Sequence, residues 1–429
     1  MRIACVGGGP AGLYFSIVMK SHDPDHDITV FERNPAGSTY GWGVTYWGDL
    51  LERLHRHDPQ TARAISEHSV RWTDGVAHIG RQRTVHRGDE GFSIGRRRLL
   101  DILAERATEL GVDVRFDHEV RELDQVPQAD LVVACDGVNS RLRQLRPGEF
   151  GTAVTEERNK YIWLGTSKVF GSFTFAFHET PAGWIWFYAY GFSDELSTCI
   201  VECSPETWIG LGLDRADEDR TLELLARIFA EPLEGHALHT RTPDDRAGAG
   251  SEARAGSGGG GGGAGGGASW LNFRTLTNAT WHHDNIVLVG DAAHTTHYSI
   301  GAGTTLALED AAALADALGR HRHLPQALAS YERERKSALA PVQSAARYSA
   351  QWYESLPRYL RLTPPQFFTL LGQRHSPLMP HLPPLLYYRL HQATEEFGPV
   401  RSLRKWLGPK LMEALPARSG SGSGSGSGR

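Results

Sequence analysis

The stretch RIACVGGGPAGLYFSIVMK, residues 2–20, decides the fold. Arg2–Gly7 is a short apolar run of the kind that forms a buried strand. Gly7, Gly9 and Gly12 fall at GxGxxG spacing, and LYFSIVMK continues as an apolar helix. A second strand-like run, DITVFER, carries Glu32 twenty residues past Gly12, with Arg33 beside it. Strand, glycines, helix, strand and acid in that order form a βαβ dinucleotide site. Gly7 permits the tight turn, Gly9 lets a pyrophosphate approach the backbone, and Gly12 lets the helix pack on the strand. The helix N-terminus then faces the phosphates. Glu32 is placed to accept hydrogen bonds from an adenosine ribose. On its own the unit does not separate FAD from a nicotinamide dinucleotide.

The rest of the chain sets bounds. Its 429 residues allow two or three domains, or one large two-lobed enzyme. Net charge is -5 with both signs interspersed, so no basic patch argues for nucleic acid or an anionic membrane surface. No stretch reaches the roughly 18 unbroken apolar residues of a membrane span, and glycines break the apolar N-terminal run before it can act as a signal peptide. The four cysteines form no CxxC pair and are too few for a disulfide framework. Cys199 and Cys203 share one side of a strand-like run and read as buried thiols. A cytoplasmic protein is expected. Residues 247–268, with twelve glycines, and the Ser-Gly run 419–429 read as a flexible loop and tail.

Three further motifs follow. SIGRRRLLDIL places Arg96 at the head of a helix; Arg97 and Arg98 follow it. DLVVACDGVNSRLR is a buried strand ending in Asp136-Gly137. NIVLVGDAAHTTHYSIGAGTTLALEDA is another, ending in Gly290-Asp291. Gly301, Gly303 and Thr304 then open a helix whose free N–H groups make an anion site.

The order GxGxxG, arginine helix, Asp-Gly, Gly-Asp resembles the class A single-component FAD-dependent aromatic monooxygenases of the p-hydroxybenzoate hydroxylase fold, from residue 1 to about 390. The resemblance implies an α/β protein: a Rossmann-like FAD-binding lobe, an antiparallel-sheet substrate lobe and C-terminal helices. It divides the chain into residues 1–157 (first part of the FAD lobe), 158–246 (substrate sheet), 247–268 (glycine-rich loop), 269–418 (completion of the FAD lobe and helices) and 419–429 (tail). It also implies that Arg96 reaches the flavin phosphates, that Asp136 and Gly137 serve flavin and nicotinamide, and that Asp291 binds the flavin ribityl or ribose. No second GxGxxG follows a strand, so NADPH or NADH would reach the flavin without a Rossmann domain of its own. The class uses O2 as co-substrate, through a flavin hydroperoxide that attacks an electron-rich ring. Where most of the class carries asparagine near Thr305, this chain has threonine.

GWGVTY (41–46), RNKYIWLGTSKVF (158–170), STCIVECSPETW (197–208) and SIGAGT (299–304) resemble two branches of the class equally. One comprises the salicylyl-CoA and anthraniloyl-CoA hydroxylases, the other the violacein-pathway hydroxylases. The expected partner is a small aromatic substrate, and the expected assembly a monomer or homodimer. A reductase or dehydrogenase of the same fold, inserting no oxygen, is the rival reading.

GWIWFYAY (183–190) then falls on a strand of the substrate sheet. Alternation puts Trp184, Trp186, Tyr188 and Tyr190 on one face and Ile185, Phe187 and Ala189 on the other. Trp186 and Tyr188, with Tyr46 and Trp47, are candidates to wall the substrate; plain core packing is the alternative. A Trp-x-Trp pair also resembles the flavin halogenases. Those enzymes need a lysine between flavin and substrate, and no lysine stands between Lys20 and Lys160. His294, His297 and Tyr298 flank the flavin-binding turn, where a near-neutral histidine would suit general-base work; they equally fit as satisfied structural groups. Their HxxH spacing lacks a further ligand cluster, so no metal is expected.

Overall fold

In the computed structural model the described residues are 1–240 and 269–396, apart from 40, 81, 127 and 147. The glycine-rich loop and the Ser-Gly tail lie outside them. The strands are β1 (Arg2–Val6), β2 (Asp27–Phe31), β3 (Gly43–Tyr46), β4 (Val70–Ile79), β5 (Gln82–Gly95), β6 (Asp113–Arg115), β7 (Leu131–Ala134) and β8 (Thr152–Thr166). They continue with β9 (Phe173–Thr180), β10 (Gly183–Gly191), β11 (Ser197–Cys203), β12 (Leu238–His239), β13 (Leu271–Asn278), β14 (His282–His283) and β15 (Ile286–Leu288). No helix among the described residues is long and apolar enough to cross a membrane.

Two sheets organise the molecule. The first has the order β14-β15-β7-β1-β2-β6, parallel except for β14. Its central strands are short unbroken apolar runs: every residue of β7 and β15 is buried, as expected where helices cover both faces. The helices Pro10–His22, Arg96–Glu109 and Gly303–Arg320 complete this core.

The second sheet runs β12-β8-β11-β10-β9-β4-β5-β3, with β13 also pairing β8. All its pairs are antiparallel except β4 with β9. It takes strands from residues 43–95 as well as from 152–203, so sheet membership does not follow sequence order. The stretch from Phe173 to Gly191 is two strands: β9 and β10 form a hairpin closed at residues 181–182. The sheet also curls. Tyr190 donates its hydroxyl to the Gly43 carbonyl (2.9 Å), and Gly43 N–H donates to Thr198 Oγ1 (2.8 Å), so edge strand β3 returns to the ends of β10 and β11. A Cβ on Gly43 would lie 2.5 Å from Phe192, so only glycine permits this approach.

The alternation of GWIWFYAY holds. Trp186 and Tyr188 pack against Trp352, Tyr353 and Phe367, with Trp184 at the margin of that cluster. Ile185, Phe187 and Ala189 face the opposite way, with Cys199, Cys203, Leu225 and Phe229. All four cysteines are buried and free.

Candidate active site

The carboxyl ends of β1, β7 and β15 lie side by side, the usual place for a ligand in an open parallel sheet. They deliver Gly7, Asp136 and Gly290-Asp291. Gly7 has φ +114, and a Cβ there would sit 2.3 Å from the Cys135 carbonyl oxygen. A Cβ on Gly12 would lie 2.2 Å from the Gly7 carbonyl oxygen. Both glycines are therefore demanded by packing. Gly9 differs: a Cβ there meets nothing within 4 Å. It faces an open cleft of about 600 Å³, which Gly8, Glu32, Arg96, Arg97 and Asp101 also line. The helix Pro10–His22 starts after Gly9 with no side-chain cap, which leaves its first N–H groups for a ligand. Glu32 accepts from Gly8 N–H (2.7 Å), Asn34 N–H (2.9 Å) and Asn34 Nδ2 (2.6 Å). An ionised carboxylate has about four acceptor positions, so one remains. Arg33 is half-buried beside it.

Arg96 opens the helix Arg96–Glu109. Its buried Nε has no hydrogen-bond partner. Burial pulls its pKa down, and only Asp291 opposes that. Asp291 in turn is pushed up by the crowding around it, with His294 and Arg96 acting against the rise. Asp136 accepts from Arg141 N–H (2.6 Å) and Leu142 N–H (3.3 Å), while its Oδ1 is buried without a partner and burial raises the carboxyl. Gly137 follows at φ +81. The buried guanidinium of Arg143 donates to the carbonyls of Ala292 (2.8 Å) and Val138 (2.5 Å), binding the Asp-Gly and Gly-Asp loops together.

The turn after Asp291 is held by buried charges. His294 Nε2 lies 2.8 Å from Asp310 Oδ2, which also accepts from Gly290 N–H (3.1 Å). Arg335 Nε reaches Asp310 Oδ1 at 2.7 Å. Burial alone would raise the Asp310 carboxyl; His294 and Arg335 outweigh it and hold it below its usual range. Trp281 stacks on the His294 ring (5.0 Å, 22°). His297 accepts from Ser299 N–H at Nδ1 (3.3 Å) and pairs with the Ser299 hydroxyl (2.8 Å). Burial, with Arg374 nearby, pushes it down to about 3. Burial thus favours the neutral His297 ring, with its Nδ1 engaged by Ser299. His294 is likewise committed to Asp310. The two histidines shape the turn through His294 Nε2 and His297 Nδ1, while His294 Nδ1 is buried without a partner. The turn ends at Gly301 (φ +62), where a Cβ would meet Thr45 Oγ1 at 2.5 Å and the Trp47 ring at 3.4 Å. The helix Gly303–Arg320 then begins without a side-chain cap.

Tyr298 joins this turn to the second sheet. Its ring packs on Tyr161 (4.6 Å) and Tyr188 (6.0 Å). The same face carries Trp186 and Glu202, paired across β10 and β11, and Tyr161, paired with Glu202 across β11 and β8. Tyr46 lies elsewhere. Its hydroxyl donates to Ser69 (2.6 Å), its ring stacks on Phe92 (5.5 Å), and with Thr304 it lines a narrow apolar recess. Trp47 is 48% exposed at the rim beside Gly301. The four aromatic candidates thus do not form one wall: Trp186 and Tyr188 share a face with Tyr298, whereas Tyr46 and Trp47 flank the turn from β3.

An FAD binding domain family matches residues 266–346, the segment that holds this turn. A salicyloyl-CoA 5-hydroxylase from Streptomyces sp is 36% identical over 84% of this chain and 67% of its own length. A 3-hydroxy-4-methyl-anthranilyl-(aryl-carrier protein) 5-monooxygenase from Streptosporangium sibiricum is 36% identical over 83% of this chain and 90% of its own. The chain belongs to the FAD-dependent aromatic monooxygenases. A protodeoxyviolaceinate monooxygenase from Chromobacterium violaceum is 29% identical over 92% of this chain and all of its own. A solved variant of 2-methyl-3-hydroxypyridine-5-carboxylic acid oxygenase shares the fold, with TM-score 0.65, 18% identity, and coverage of 83% of this chain and 92% of that one. The relatives are oxygen-inserting enzymes, which favours the monooxygenase over the reductase reading.

The residues present fit the family's flavin. An open Gly9, an uncapped helix, a buried Arg96 Nε and a buried Asp136 Oδ1 lacking partners are donors and acceptors that a polar dinucleotide can satisfy. Sequence reasoning missed Glu202, Tyr161 and Tyr353 on the aromatic face. For Glu202 a signal existed. It is an acid within STCIVEC, a strand-like run whose other residues are small or apolar.

Proposed function

We propose that this FAD-dependent monooxygenase hydroxylates a hydroxy- or amino-substituted aromatic ring, with electrons from NADPH or NADH and oxygen from O2. The favoured substrate is an aryl thioester; an indole-derived acid is the second reading, supported by the violacein-pathway relative. The enzyme would act in the cytoplasm as a monomer or homodimer. The observation that carries the reading is the meeting of the Gly301–Gly303 turn with an aromatic sheet face through Tyr298.

Bound FAD would supply the redox chemistry and O2 activation. The chain's own groups do the rest. The N–H groups after Gly9, with Arg96, would hold the diphosphate. Glu32 would take the adenosine ribose, and Asp291 the ribityl chain. Asp136 and Gly137 would sit beside the flavin. The uncapped N-terminus of Gly303–Arg320 would favour negative charge on an adjacent ring by about 0.3–2 kcal/mol. Tyr298, Tyr188 and Trp186 would orient the aromatic substrate, and the burial of Trp186 and Tyr188 would exclude water from the reacting carbon.

The test is NAD(P)H oxidation by FAD-loaded protein with salicyloyl-CoA, anthraniloyl-CoA, tryptophan and indolic acids, under isotopically labelled O2. Stimulation by one compound, with one labelled oxygen atom in the product, is expected. Reduction of a ligand without any need for O2 would overturn the reading.

A further inference from the structure

The aromatic face of the second sheet carries a group of buried polar atoms that the protein leaves unsatisfied. Glu202 is 1% exposed near the C-terminal end of β11. Its Oε1 accepts from Asn159 Nδ2 at 2.7 Å; its Oε2 has no partner of good hydrogen-bond geometry, although the Tyr298 hydroxyl and the Trp186 N–H lie close enough to help hold its charge. The Trp186 indole N–H and the Tyr188 and Tyr353 hydroxyls, all buried, also lack partners. Strand register explains why they converge. Trp186, Glu202 and Tyr161 lie abreast on β10, β11 and β8, and Tyr188 stands two residues along from Trp186 on the same face. Tyr353 covers them from the helix Leu324–Glu354, 5.8 Å from the Trp186 ring and 6.5 Å from the Tyr188 ring.

A buried carboxylate oxygen and several buried donors without partners are costly unless something else satisfies them. Tyr161, Phe273 and Tyr298 at its margin are only half-buried, so this margin is the side from which a ligand would enter. We propose that Glu202 Oε2 accepts a hydrogen bond from a ring hydroxyl or amino group of an aromatic ligand that lies against β8, β10 and β11 beside Tyr298. The proposal rests on the aromatic-hydroxylase reading and adds the contact that would select donor-bearing rings over plain ones. Burial pushes the Glu202 carboxyl up to about 7, with Glu354 adding to the rise and Asn159, Tyr298 and Trp186 acting against it. The other titratable groups facing it are Tyr161, Tyr188 and Tyr353, each raised by burial and so neutral at ordinary pH. Glu202 is thus the group on this face that changes charge near neutrality.

The experiment is calorimetric binding of anthraniloyl-CoA and benzoyl-CoA to FAD-loaded wild type and Glu202→Gln. Glutamine keeps the acceptor for Asn159 and removes the charge. The expected result is an advantage of anthraniloyl-CoA in the wild type that shrinks about 10-fold in the variant, with benzoyl-CoA unaffected. A merely structural role would move both ligands together, and that outcome overturns the proposal. So does a wild type that prefers neither ligand. Should the variant not fold, the wild type decides: the advantage should be larger in mildly alkaline than in mildly acidic buffer, and a pH-independent advantage overturns the proposal. Failure of the hydroxylase reading would show separately, as no labelled oxygen in any product.

Discussion

His297 and Glu202 are both buried and titrate in opposite senses. His297 falls from 6.5 to about 3 on folding, so between those values the unfolded chain binds the extra proton. Its contribution to stability is present above about 6.5 and is lost as pH falls, by up to about 1.4 kcal/mol per pH unit. Glu202 rises from 4.5 to about 7, so the folded chain holds the extra proton. Its contribution is full below about 4.5 and is lost as pH rises through about 7. Thermal stability should therefore rise less steeply with pH between about 3 and 6.5 in His297→Asn, and fall less steeply with pH between about 4.5 and 7 in Glu202→Gln. If both variants keep the wild-type profile, neither group is buried as described. Neither shift was legible in the sequence, because desolvation depends on what covers a residue, and that comes from segments far away in the chain.

Among the elements, the glycine fingerprint divides into two kinds of residue. Gly12→Ala would drive a methyl group into the Gly7 carbonyl and Cys135 Sγ, at 2.2 and 2.7 Å. It should separate the helix from β1, lowering both melting temperature and FAD content. Gly9→Ala meets no protein atom. It should fold with a wild-type melting temperature in the flavin-free form and lose FAD affinity, read by flavin absorbance after gel filtration. Equal damage from both would refute the assignment of Gly9 to the ligand. This unit was the most legible part of the chain, because strand, turn, helix and strand are contiguous and each spacing is set by local geometry. The alternation of GWIWFYAY was legible for the same reason. The hairpin between β9 and β10 turns where Thr180 donates its hydroxyl to the Gly183 carbonyl (2.7 Å), and Pro181 and Gly183 are its signal in the sequence.

Across the whole molecule, one helix ties the two sheets together. The first half of Leu324–Glu354 buries Leu328, Tyr331 and Leu339 in the core of the parallel sheet. Its second half buries Trp352 and Tyr353 on the aromatic face. Trp352→Ala should cost about 3–5 kcal/mol and should weaken ligand binding at the Tyr298 face more than FAD retention. Loss of FAD with ligand binding intact would contradict that arrangement. The sequence by itself determined the dinucleotide unit, the family, and the face on which each residue of GWIWFYAY lies, because these depend on periods and spacings within a few tens of residues. Only the tertiary structure decided three things: that strands from residues 43–95 complete the second sheet, that His294 is tied to Asp310, and that Glu202 is buried among aromatic rings beside Tyr298. Each of these joins residues remote in sequence or depends on what covers a side chain, and packing of the whole chain selects such contacts.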